Sequence, residues 1–105
     1  MVEPDDFAEA VLDLVDRIPA GRVMTYGSIA GWLGRGGPRQ VGSVMSRYGG
    51  GVPWHRVVNA AGRVVPGHER EALARLRAEG TPLRGDRVNL SAAAWLPPAD
   101  HPPPG

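Results

Sequence analysis

Apolar positions recur at helical spacing from the start of the chain. Phe7, Val11, Leu14, Val15 and Ile18 fall on one face of an amphipathic helix over residues 5–18. Pro4 suits its first turn, Asp5 and Asp6 suit its positive end, and Pro19-Ala20-Gly21 stops it. After a short extended link at Arg22-Val23-Met24, Thr25 is placed to cap a second helix that runs to Leu33, with Ile29, Ala30 and Leu33 inward. Gly34 to Gly37 predicts a turn. Pro38 then opens a third helix that carries Val41, Val44, Met45 and Tyr48 on one face. Two short helices joined by a glycine-rich turn suggest a helix-turn-helix, a motif that does not by itself fix a function.

Gly49-Gly50-Gly51 reads as a loop. Beyond it, Val57-Val58 and Val64-Val65 flank Asn59-Ala60-Ala61-Gly62, the pattern of a hairpin or of a tight crossing turn in which Gly62 supplies positive φ. A fourth helix over residues 68–79 turns Ala72, Leu73 and Leu76 inward and ends at Gly80 and Pro82. Residues 87–90 form a possible last strand. Five prolines in the nine residues from Pro97 to Gly105 predict a flexible tail, so the 105 residues divide into one domain, 1–96, and a proline-rich tail, 97–105. There is no internal repeat.

Composition narrows the chemistry. The chain has no cysteine, which excludes disulfides, thiolate metal sites and thiol nucleophiles. A metal held by imidazoles needs three or four converging side chains, and only His55, His68 and His101 exist, so neither a metal nor a cofactor is expected. No run of 18 apolar residues and no export signal is present, which predicts a cytoplasmic protein without a membrane partner. Net charge is only +1, but it is segregated. The first sixteen residues hold six acids and no base, while residues 17–68 hold seven arginines (Arg17, Arg22, Arg35, Arg39, Arg47, Arg56 and Arg63) and no acid. Such a stretch is the electrostatic footprint of a phosphate-binding surface, where an ordinary solvated face mixes both signs.

Several ordered segments carry a resemblance. They are Ile18-Pro19-Ala20-Gly21-Arg22-Val23 followed by Thr25-Tyr26-Gly27, then Pro38-Arg39-Gln40-Val41-Gly42, then Pro53-Trp54-His55-Arg56-Val57-Val58-Asn59. From about Phe7 to Trp95 the chain resembles the DNA-binding domain of O6-alkylguanine-DNA alkyltransferases, and more closely the alkyltransferase-like proteins. The fold so implied is mainly α with short strands, a winged-helix-like domain containing the helix-turn-helix. In alkyltransferases a cysteine that accepts the alkyl group stands where Trp54 stands here. An indole has an N–H donor and a π face but no nucleophilic lone pair, so Trp54 cannot accept an alkyl group. It can wall a pocket, or serve simply as a core residue.

The resemblance also implies roles for other residues. Arg39 matches an arginine that enters the duplex through the minor groove and replaces a flipped nucleotide, although a phosphate contact or a surface charge would use the same residue type. Tyr26 matches the residue that turns the phosphate beside the target, and it could equally be a core tyrosine. Thr25, Gly27, Ser28, Gln40, Gly42 and Ser43 complete the expected DNA-binding set. Trp54, Tyr26, His55, Arg56, Val57, Val58 and Asn59 form the expected lesion pocket, with His55 structural, Arg56 and Asn59 bracing the loop, and Val57 and Val58 offering main-chain groups. Val65-Pro66-Gly67-His68 is shorter than the corresponding loop often is, leaving Arg63 and Arg70 as candidates to discriminate the base. A gapless count back from Glu79-Gly80 puts Leu73 where the transferases carry the glutamate that polarises histidine, which predicts that the carboxylate is lost as well as the cysteine.

The expected function is therefore non-enzymatic recognition of O6-alkylguanine in double-stranded DNA by nucleotide flipping. The chain would act as a monomer, and the resemblance implies presentation of the site to nucleotide excision repair proteins. The alternative is a helix-turn-helix transcriptional regulator, which would dimerise on paired half-sites. A hydrolase using Ser43, Ser46 or His55 lacks a nucleophile elbow or paired carboxylates within the basic region.

Overall fold

In the computed structural model, which describes residues 5–98, the helical periodicities close into three mutually packed helices. These are α1 (Asp6–Arg17), α2 (Tyr26–Leu33) and α3 (Pro38–Tyr48). The Asp5 carboxylate caps α1 by accepting from the Ala8 backbone N–H at 2.8 Å, an arrangement worth about 1 kcal/mol. Pro4, read as part of that first turn, lies outside the described residues. The α1 face made by Ala8, Val11, Leu14 and Val15 is buried, against Ile29 and Ala30 of α2 and Val41 and Val44 of α3. At α2 the cap is reciprocal: Thr25 Oγ1 accepts from Ser28 N at 3.0 Å and Ser28 Oγ accepts from Thr25 N at 2.9 Å. The helix stops at Gly34, which adopts a left-handed conformation with φ 71°. Phe7 lies on the turn that follows, since a Cβ at Gly36 would come within 2.7 Å of Phe7 Cζ. The glycine thus lets α1 grip the turn of the helix-turn-helix.

β1 (Met24–Thr25) and β2 (Val57–Val58) pair in parallel, with Met24 opposite Val57 and Thr25 opposite Val58. Val57-Val58 therefore finds its ladder upstream and not in a hairpin with Val64-Val65. Of the two alternatives at residues 59–62, the tight turn is the one formed. Asn59 N donates to Arg63 O at 3.0 Å, and the Asn59 side-chain oxygen accepts from Ala61 N and Arg63 N, both at 2.9 Å. Gly62 has φ 81°, and a Cβ there would collide with the carbonyl oxygen of Val88. β2 is buried on both faces, the usual place of an all-apolar parallel strand.

The parallel pair separates two cores, because successive strand residues point to opposite sides. Met24 and Val57 join the α1–α3 core, while Val23 and Val58 join a second core with Val64, Val88 and Ala93. Ala72, Leu73 and Leu76 of α4 (Glu69–Ala78) complete that second core. β3 (Leu83–Arg84) and β4 (Arg87–Val88) form an antiparallel hairpin. The strand expected over residues 87–90 stops at Val88, because α5 (Leu90–Ala93) begins two residues later. The chain returns to β1 through Trp95 N to Val23 O at 2.8 Å. Pro97 is buried and Pro98 exposed; residues 99–105 of the expected tail, His101 included, lie outside the described residues. No helix among the described residues is long and apolar enough to cross a membrane.

Candidate nucleic-acid interface

Arg39, Gln40, Ser43 and Arg47 are exposed along α3. Arg39 is the second residue of that helix and makes no hydrogen bond or ion pair with another described residue, so its guanidinium is free to meet an external group. Gln40 Oε1 accepts from Gly37 N at 3.0 Å and so tightens the start of the helix. Nothing lies within 4 Å of a Cβ built at Gly42. A glycine inside a helix costs about 1 kcal/mol relative to alanine. Packing within the protein does not require it here, whereas close approach of an external backbone would. Thr25 and Ser28 spend their hydroxyls on the α2 cap, and Gly27 is exposed beside them.

Between α3 and the start of α4 lies an open cavity of about 480 Å³. Tyr26 forms one wall; Gly42, Met45 and Ser46 of α3 form another; Trp54 and the Val65-Pro66 loop stand opposite. Partial burial pushes the Tyr26 hydroxyl pKa above the ordinary tyrosine value, which keeps it protonated and able to donate to a phosphate. Trp54 begins a short 3₁₀ turn, Trp54–Arg56. The His68 ring meets the indole edge-on, with centroids 5.9 Å apart. The Arg75 guanidinium lies 5.3 Å from the indole centroid, a cation–π contact.

Behind Trp54 the chain keeps a carboxylate on its histidine, and the residue is Glu79, not the position of Leu73. His55 Nε2 donates to Glu79 Oε2 at 3.0 Å. Arg56 Nε and Nη2 donate to the same carboxylate at 3.0 and 2.6 Å, and Arg56 Nη1 donates to Ile18 O at 2.8 Å. Leu73 is buried apolar surface in the second core. The count back to Leu73 stays within α4 and so could not tell which of its residues meets His55: Leu73 faces the second core, whereas Glu79, the C-cap of α4, meets the 3₁₀ turn. The hydrogen bonds from Arg56 are the main cause that holds the Glu79 carboxyl at about 2; the His55 contact also lowers it, while burial opposes. His55 Nδ1 is buried without a partner.

Of the residues expected to form the pocket, Tyr26 and Trp54 line it. His55 and Arg56 stand behind it, Val57 and Val58 are buried in the two cores, and Asn59 is exposed in its turn. Met45, Ser46, His68 and Glu71 also line the cavity, a place that nothing in their sequence spacing marks. Neither Arg63 nor Arg70 lines it. The arginine-rich stretch is also less available than its count suggests. Arg22, though exposed, donates to the Ala93 and Ala94 carbonyls, Arg56 is committed to Glu79 and Arg63 faces Asp86 at 3.9 Å, which leaves Arg17, Arg35, Arg39 and Arg47 exposed without a hydrogen-bond or ion-pair partner among the described residues. Among the described residues no group of three or more His, Cys, Asp or Glu is gathered to hold a metal ion.

Residues 6–81 match the family model described as 6-O-methylguanine DNA methyltransferase, DNA binding domain. The chain is 37% identical to alkyltransferase-like protein 1 of Schizosaccharomyces pombe over 105 residues, covering 89% of this chain and 97% of that protein. It is 38% identical to the DNA base-flipping protein of Escherichia coli over 102 residues, covering 90% of this chain and 78% of that one. Its fold matches the crystal structure of the S. pombe protein in complex with damaged DNA containing O6-carboxymethylguanine. The TM-score is 0.77 at 34% identity, with 91% of this chain and 100% of that chain covered. With its family match spanning both the helix-turn-helix and the Trp54 cavity, the chain belongs to the family of 6-O-methylguanine DNA methyltransferase DNA-binding domains and, within it, to the alkyltransferase-like proteins.

Proposed function

We propose that this protein recognises O6-alkylguanine in duplex DNA by turning the altered nucleotide out of the stack and into the cavity between α3 and Trp54, without removing the alkyl group. The observation that carries the reading is the cavity of about 480 Å³, lined by Gly42, Met45 and Ser46 of α3 and by Tyr26 and Trp54, within the range that encloses small organic ligands. The S. pombe relative, crystallised on DNA carrying O6-carboxymethylguanine, supports it. Trp54 stands where the transferases carry their acceptor cysteine and offers the alkyl group an apolar wall. Tyr26 donates to the phosphate beside the target, Arg39 fills the vacated stack, and Gly42 lets the backbone approach. Since nothing accepts the alkyl group, the outcome is a marked site bound by one copy of the protein, and nucleotide excision repair is the process that would read it.

The test is titration of one duplex with and without a single O6-methylguanine. A preference of at least about tenfold for the lesion, equivalent to about 1.4 kcal/mol, is expected at one protein per duplex. Equal affinities would overturn the reading, and two copies on an undamaged palindrome would favour a regulator.

Arg39→Ala is expected to weaken lesion binding by about 2 kcal/mol, the scale on which a wedge offsets lost stacking. The same titration checks it: an equal loss on damaged and undamaged duplex would make Arg39 a phosphate contact instead.

A further inference from the structure

The cavity lining contains one carboxylate, Glu71, and no arginine among the described residues. Glu71 Oε2 accepts from Arg75 Nη2 at 2.6 Å, an i,i+4 pair along α4. Arg75 is not part of the lining; its guanidinium lies over the indole of Trp54. The pair is thus a dipole whose negative end borders the cavity while its positive end is drawn off onto the tryptophan. We infer that Glu71 makes the cavity selective for the charge of the alkyl group, admitting neutral O6-alkyl adducts and opposing those that end in a carboxylate. The inference rests on the lesion-binding reading and adds the substrate class.

The sign of the effect follows from the pair. An anionic adduct in the cavity meets the Glu71 carboxylate before the Arg75 cation, so like-charge repulsion dominates; a neutral adduct of the same shape does not. Removing the Glu71 charge leaves Arg75 as the nearest charge of that pair and should reverse the preference. Removing the Arg75 charge leaves Glu71 uncompensated and should strengthen it. Both side chains are about half exposed, so the pair contributes little to stability and both variants should fold. Exposure also means that salt weakens the selectivity.

The experiment compares duplexes carrying O6-carboxymethylguanine and its neutral amide counterpart, which match closely in size, together with O6-methylguanine and undamaged DNA. The affinity ratio of amide to acid cancels general effects on DNA binding and on the Trp54 wall. In the natural protein the amide is expected to bind about threefold to tenfold more tightly, the scale of one unit charge acting across partly solvated space. Glu71→Gln should abolish or invert that ratio, and Arg75→Gln should enlarge it by a similar factor. A ratio near one in the natural protein, or a ratio that both variants leave unchanged or move in the same direction, overturns the inference while a preference for O6-methylguanine over undamaged DNA keeps the lesion reading intact. Loss of that preference as well would remove both.

Discussion

Glu79→Gln is expected to lower folding stability by about 3 kcal/mol at neutral pH and to flatten the acid limb of the stability curve. The Glu79 carboxyl is held at about 2 against an ordinary value of 4.5. A depressed carboxyl pKa contributes stability that is complete above the unfolded value and is lost as pH falls through the folded one. The contribution is therefore present at neutral pH and fades between about pH 5 and pH 2. The amide keeps the shape but removes the charge opposite Arg56, which is itself largely buried, with 18% of its side chain exposed. Arg56 also holds the Ile18 carbonyl, so the loss reaches the junction between α1 and the turn that carries Trp54. Urea titrations of both proteins from neutral to acid pH read the effect directly. Curves that stay parallel as pH falls would mean that Glu79 does not bear this charge-linked stability.

What could be read from the sequence is largely what is local. The faces of α1 to α4, the Thr25 cap, the stop at Gly34 and the positive φ of Gly62 depend on spacing within a few residues, and periodicity or turn chemistry states them. β1 and β2 are only two residues each and pair across the whole helix-turn-helix. Val57-Val58 therefore looked no different from one arm of a hairpin. The Glu79 contact spans 24 residues, and a count along α4 cannot say which of its residues reaches His55 and which faces the core. Arginine has the same difficulty in another form. A basic stretch is visible in sequence, but only folding shows that Arg22 and Arg56 are committed to hydrogen bonds within the protein while Arg39 remains free. Tyr26 and Trp54 were found because motifs name them. Glu71, His68 and Met45 were not, because a cavity wall is assembled from elements whose separation no periodicity encodes.

Trp54→Cys should yield a reactive thiol that nevertheless takes methyl groups from DNA at least about 100-fold more slowly than a genuine alkyltransferase, the loss typical of small misplacements of reacting groups. The parts for activation are present. Glu79 is ionised at neutral pH and holds His55 through Nε2, which leaves Nδ1 as the acceptor. A histidine oriented by a carboxylate is the base that a thiol beside it needs, so the thiolate should form below the ordinary cysteine value of about 8.5. Alignment is what the substitution does not restore. Displacement requires the sulfur about 3 to 3.5 Å from the methyl carbon and in line with the leaving oxygen. The cavity, however, is shaped around an indole that also supports His68 and Arg75, and a short thiol side chain leaves the space once filled by that ring between sulfur and adduct. Two measurements separate the halves of this prediction. The pH dependence of alkylation by iodoacetamide, with and without Glu79→Gln, reports activation; a thiol that titrates as free cysteine in both proteins would deny that His55 and Glu79 act as its base. Transfer of isotope from labelled O6-methylguanine duplex onto the protein reports alignment, and transfer as fast as in an alkyltransferase assayed alongside would show that Trp54 alone separates binding from repair.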